Sequence, residues 1–150
     1  MNVLAETYKH ILTVQQYMNI CIKHLITKTT QHDLSKLKTP EVEVFEEYTH
    51  QLANITYASD EYKALAKLMA PAISHHYTKN RHHVEFHKNG ISGMNLLDLV
   101  EMICDWKAAT LRHNDGDIIK SLEINSKKYG YSDELYSILK NTIIDMGFNK

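Results

Sequence analysis

The chain is poor in the residues that break or staple a fold: 150 residues include only two prolines, five glycines and two cysteines. Scarce proline and glycine leave long stretches free to remain helical. Cys21 and Cys104 each sit in an apolar helical pattern, which excludes a disulfide framework and points to reduced core thiols in a cytosolic protein. Net charge is also scarce. Seventeen Lys and Arg against eighteen Asp and Glu leave −1, so no basic field recruits nucleic acid or an anionic membrane. No apolar run approaches the roughly 20 residues of a membrane span. The opening "MNVLAETYKHILTV" carries Glu6 and Lys9, which does not suit a signal peptide. What is plentiful is apolar residue, 43%, enough for a real core. The expectation is a soluble, cytoplasmic single domain over residues 1–150.

The apolar spacing is helical almost throughout. Val3, Thr7, His10, Val14, Tyr17 and Cys21 recur at alternating steps of four and three, and Leu4, Tyr8, Ile11, Met18, Ile22 and Leu25 widen them into a thick stripe expected to be buried. "TKTTQHDLSKLKTPE" interrupts that pattern. Thr39-Pro40-Glu41 then opens a helix over about residues 40–53, with threonine as cap and proline in the first turn. Ser59-Asp60-Glu61 opens the next, whose stripe reads Tyr62, Leu65, Met69, Ala72, His76, and Pro71 predicts a kink or break just before itself. "LLDLVEMICDWKAATLRH" is the clearest helix, and two further segments start with capping residues and stop at Gly130 and Gly147. No alternating strand pattern of useful length occurs. The predicted fold is all-α, a single compact bundle of about six helices.

Histidine is the second abundance. Five of the ten histidines crowd into "HHYTKNRHHVEFH", residues 75–87. Helical phase puts His76 on the buried stripe and rotates His75 off it, while His82 and His83 return from the following loop. His76, His82 and His83 are therefore favoured as ligands over His75 and His87. Upstream, the adjacent pair His32-Asp33 offers an imidazole and a hard carboxylate, which suit the same divalent ions. Downstream, Asp98, Glu101 and Asp105 share one side of their helix. Asp105 lies among Cys104, Trp106, Ala108 and Ala109, neighbours that suggest partial burial, and a nearby cation would relieve a buried carboxylate. His10 and His24 share the first helix's stripe, and either can face inward. His24 stays open as a substitute for His10, and His75 for His76.

In that order, "HDLSK", "HHVE" and "GMNLLDLVEMICDW" resemble the HD-domain superfamily of metal-dependent phosphohydrolases, whose signature is a histidine, an adjacent His-Asp pair and a distal aspartate in a helical bundle. The extra histidines look like the HD-GYP phosphodiesterase branch. However, no Gly-Tyr-Pro follows the His-His pair and only six positions separate His76 from His82, so a cyclic-dinucleotide substrate is not carried over. "HDLSKLKTPE", "HHYTKNRHHVEF" and "DLVEMICDWKAAT" look like the recurring blocks of a compact, uncharacterised HD-like family of phage and bacterial proteins.

The resemblance implies one or two divalent transition metals among iron, manganese, zinc, cobalt and nickel. His10, His32, Asp33 and Asp105 would surround one ion, and His76, His82 and His83 a second, with Asp33 bridging. A metal-activated water would attack a phosphate ester, with Asp33 central. Lys36 is the leading group for the phosphoryl oxygens, followed by Lys79, Arg81 and Arg112. Asn80 would orient substrate and Glu85 would assist proton transfer. The implied substrate is a small nucleotide or related phosphate in a bacterial or phage-infected cell, without stable nucleic-acid or membrane binding, and a homo-oligomer is left open. Two alternatives stand beside it: a non-catalytic module holding a nucleotide or a metal, such as a phage protein sequestering a signalling nucleotide, and a di-iron oxygenase of HD type. A closed, purely structural metal site suits this many candidate ligands less well.

Overall fold

In the computed structural model, which describes residues 2–149, seven α-helices are linked by short 3-10 turns and loops, with no strand among the described residues. They are α1 (Val3–Gln31), α2 (Glu41–Tyr48), α3 (Asp60–Leu68), α4 (Ala70–Lys79), α5 (Leu96–Thr110), α6 (Ile118–Tyr129) and α7 (Asp133–Asp145). The all-α expectation holds. The count exceeds six because the helix expected to run through Pro71 is two: α3 ends at Leu68, and Pro71 lies in the first turn of α4. There its missing N–H costs no hydrogen bond. No described helix is long and apolar enough to cross a membrane.

The chain divides into two compact units, Met1–His32 and Asp33–Lys150. The first is essentially α1. Asn2 caps it by accepting from the Ala5 N–H at 3.3 Å. Its expected buried stripe is not buried: α1 has no buried residue, and Leu4, Tyr8 and Met18 remain 60% exposed or more. Within this unit there is no second layer against which a helix face could be buried. The same fact corrects the expectation for Cys21, which is exposed. Cys104 is exposed as well, because α5 turns Met102 and Ile103 inward and Cys104 outward.

In the second unit α5, α6 and α7 build a core of Met102, Ile103, Ile118, Leu122, Leu139 and Ile143, joined by Val84 from the histidine-rich loop. Leu122 and Ile143 are fully enclosed, each contributing about 1.5–3 kcal/mol from side-chain burial. α6 stops where Gly130 takes the left-handed conformation at φ 66°, a geometry that favours glycine. The α5 N-terminus is a reciprocal capping box: the Asn95 side chain accepts from the Leu97 and Asp98 N–H groups, and the Asp98 carboxylate accepts from the Asn95 N–H. α4 packs against α2 and α3. At the start of α2, Pro40 rather than Thr39 is the cap, and the Thr39 hydroxyl donates instead to Glu43 Oε1 at 2.6 Å.

Candidate metal centre

Four pieces of the second unit, the turn at Asp33, α4, the loop after it and α5, deliver histidines and carboxylates to one point. α4 carries His76 in phase with the buried Met69 and Ala72, so its ring points into the packed side. Asn80 ends α4 in extended backbone, and the chain turns back with His82 and His83. Asp33 stands at the start of the unit with φ 56°, in the left-handed region that aspartate tolerates better than most residues. One atom from each of Asp33, His76, His82 and His83 lies within 4.8 Å of the other three. His76 Nε2 is 3.3 Å and His82 Nε2 3.4 Å from the same oxygen, Asp33 Oδ1. His82 Nε2 also lies 3.7 Å from Asp105 Oδ2. Donor atoms sharing one ion through bonds of roughly 2.1 Å stand about 3–4 Å apart, the range these separations occupy.

Behind the imidazoles stand carboxylates. Glu41 is wholly buried and lies 2.8 Å from His76 Nδ1 and 2.7 Å from His75 Nδ1, while the Ser35 hydroxyl donates to it at 3.0 Å. Glu101 stands 3.2 Å from His82 Nδ1. A carboxylate accepts, so these contacts place the ring hydrogens on Nδ1 and leave Nε2 as the coordinating nitrogen. Asn80 donates to the Ser35 hydroxyl and to the His76 carbonyl, both at 2.8 Å, which ties the loop to the same network. His83 Nε2 is buried with no hydrogen-bond partner among the described residues. A buried, unsatisfied imidazole nitrogen is costly, and an ion at the cluster would satisfy it. The donor set of imidazole and carboxylate therefore fits a divalent transition metal.

The electrostatics agree with the geometry. Burial alone would push the Asp33 carboxyl up, yet the His76 imidazole and the Lys36 ammonium outweigh it and hold the group well below the usual carboxylate range. Burial, reinforced by His82 and His76, pushes the His83 imidazole down to about 3, so it is neutral at physiological pH, as a ligand must be. This has a consequence for the metal-free protein. Between about pH 3 and the unfolded value near 6.5, the unfolded chain carries a proton on His83 that the folded chain refuses. Stability is then expected to fall on acidification through that window, by up to about 1.4 kcal/mol per pH unit. Asp33, depressed in the fold, adds to the loss only below about pH 4. Urea titrations in chelator from pH 7 to pH 4 should show a shallower slope for His83→Asn; an unchanged slope would refute the assignment.

Several of the remaining sequence candidates lie elsewhere or play another part. His10 sits on the same unbroken helix as the residues leading to His32, 22 positions away, which is ~33 Å along the axis at 1.5 Å per residue. That spacing corrects the expectation that both meet at one ion within one chain, and exposed His24 on α1 does not restore it. His32 closes the first unit, one peptide bond before Asp33. Lys36 pairs with Asp33 Oδ2. Arg81 is half-exposed and pairs with buried Asp98 at 3.0 Å, and Lys79 is exposed at the end of α4. Glu85 accepts from Lys128 at 3.0 Å and from the Tyr129 hydroxyl at 2.6 Å, a set of contacts of its own. His87 donates to the Arg81 carbonyl at 2.8 Å. Arg112 lines the cleft beside His76 and His83. Sequence reasoning missed Glu41, which reads as an ordinary acidic first-turn residue.

An all-α frame that converges histidines and carboxylates from separate segments defines the class, a helical protein with an imidazole–carboxylate site. The chain belongs to the family of unknown function DUF5662, whose model matches residues 1–145. No curated protein and no solved structure matches it.

Proposed function

We propose that the chain is an HD-like, metal-dependent phosphohydrolase acting on a small phosphate ester such as a nucleotide. The observation that carries this reading is the convergence of two Nε2 atoms on Asp33 Oδ1, with the ring nitrogens behind them against Glu41 and Glu101. A divalent ion held by Asp33, His76, His82, His83 and Asp105 would lower the pKa of a water toward about 7 and polarise a phosphoryl oxygen. The chain supplies the rest. Glu41 and Glu101 fix the imidazoles, and Lys36, beside Asp33 and lining the adjoining cleft, places an ammonium where phosphoryl charge develops. In the reaction the water oxygen bonds to phosphorus, the ester P–O bond breaks, and the water proton ends on the departing alcohol. No oxidant or reductant is needed.

The test is chelator-stripped protein, reloaded with manganese, iron, zinc, cobalt or nickel in turn and incubated with nucleotide mono-, di-, tri- and cyclic phosphates. At least one ion is expected to give phosphoryl hydrolysis that chelator abolishes. Stoichiometric metal with no hydrolysis of any ester would overturn the reading.

A further inference from the structure

One cleft of the second unit adjoins the imidazole cluster, because His76 and His83 are part of its lining. The rest of it differs in kind. Phe45, Leu52, Tyr62, Met69 and Tyr77 form apolar walls, and among the described residues no Asp, Glu, Asn or Gln lines it. Its two cations are Lys36 and Arg112. Phe45 and Tyr77 bracket the histidines: the Phe45 ring is 6.1 Å from His76 and the Tyr77 ring 4.6 Å from His83, centre to centre. The Lys36 ammonium lies 5.5 Å from the Phe45 ring centre, so cation and aromatic wall meet where the cluster begins. Burial pushes the Tyr62 phenol up to about 12 and raises Tyr77 likewise, so the walls carry no negative charge at neutral pH.

We propose that this cleft seats the organic part of the phosphate ester, with the phosphate at the His76–His83–Lys36 end and a single aromatic ring among Phe45, Tyr62 and Tyr77. The size fits one ring: the cavity volume is about 140 Å³, close to the roughly 150 Å³ apolar cavity that accepts benzene in another protein. The lining also sets what is selected. With no side-chain amide or carboxylate, and only the Thr49, Tyr62 and Tyr77 hydroxyls besides the cluster and the two cations, the cleft discriminates mainly by apolar area and gains less from a polyol than from a ring. The shared chemistry is a phosphate ester bearing a ring, either an aryl ester or a nucleotide whose base supplies it. The proposal rests on the hydrolase reading for its turnover, but its recognition half stands on binding.

The experiment pairs rates with affinities on manganese-loaded protein. Phenyl phosphate and a nucleoside 5′-monophosphate are each compared with glycerol phosphate by kcat/KM. Phenylphosphonate, which is not hydrolysed, is compared with methylphosphonate by calorimetry. At least one ring-bearing ester is expected to exceed glycerol phosphate by roughly tenfold or more, and phenylphosphonate to bind roughly tenfold tighter than methylphosphonate. Ala66, which lines the cleft, gives the control: Ala66→Leu fills the space, so both ratios should fall toward one while metal content is unchanged. Equal rates for ring-bearing and polyol esters would overturn the proposal and leave the hydrolase reading intact. If nothing is hydrolysed, that reading fails, and the phosphonates decide alone: a preference that Ala66→Leu removes supports the cleft, and equal affinities overturn it.

Discussion

Asp33→Asn protein is expected to fold normally, to purify with less than a tenth of the wild-type metal, and to release no detectable phosphate from any ester the wild type hydrolyses. Asp33 Oδ1 is the one oxygen that both His76 and His82 approach, and Oδ2 holds Lys36. The amide keeps the shape and tolerates the left-handed backbone at φ 56°, but removes the charge that would balance the cation. Loss of an outer partner typically costs 10–100-fold in metal affinity, so loss of a charged donor should exceed about 100-fold. Metal analysis by mass spectrometry, with circular dichroism as the folding control, decides the matter. Wild-type metal content together with wild-type turnover would remove Asp33 from the site.

Glu41→Ala should be the most destabilising single change at the site. The carboxylate is wholly buried and serves Ser35, His75 and His76 at once. Removing it strands those groups in a cavity that water reaches poorly, at a cost of about 3–5 kcal/mol. At about 2–4 °C per kcal/mol for a chain of this length, the melting temperature should drop by about 6–20 °C. Glu41→Gln separates structure from ligation. It fills the same volume and keeps one acceptor oxygen, so the fold should survive while metal affinity falls about 10–100-fold. A melting point within 2 °C of wild type for Glu41→Ala would show that the network contributes nothing measurable.

Much of the fold was legible because local chemistry decides it. Scarce proline and glycine allow helices, Pro71 stops one and starts another, and Gly130 supplies a left-handed end. Helical phase separated His76 from His75 without any knowledge of the tertiary structure. The length of α1 was not legible, since its threonines read as an interruption. The Thr27, Thr29 and Thr30 hydroxyls donate to the carbonyls of Lys23, Ile26 and Thr27, so they are satisfied inside a helix that continues to Gln31. Nor could the sequence show Glu41 as the partner of two histidines more than thirty residues later. A first-turn glutamate has an ordinary local explanation, favourable interaction with the helix dipole, and only the packing of α4 on α2 replaces it. The row Asp98, Glu101, Asp105 was visible as a row, but its division was not. Asp98 serves the cap and Arg81, whereas Glu101 and Asp105 both face His82.

The backbone at position 33 narrows what mutation can explore there. Glycine fits the left-handed turn and brings no oxygen; asparagine fits it and brings no charge. Glutamate or histidine brings a donor but must accept the conformational penalty, roughly 1–2 kcal/mol, along with a different reach. Aspartate alone meets both demands, so sequence drift at this codon should meet selection twice, once through folding and once through chemistry. A natural variant that has abandoned the site's activity would therefore be expected to settle first on asparagine or glycine at position 33, keeping the turn after the function has gone.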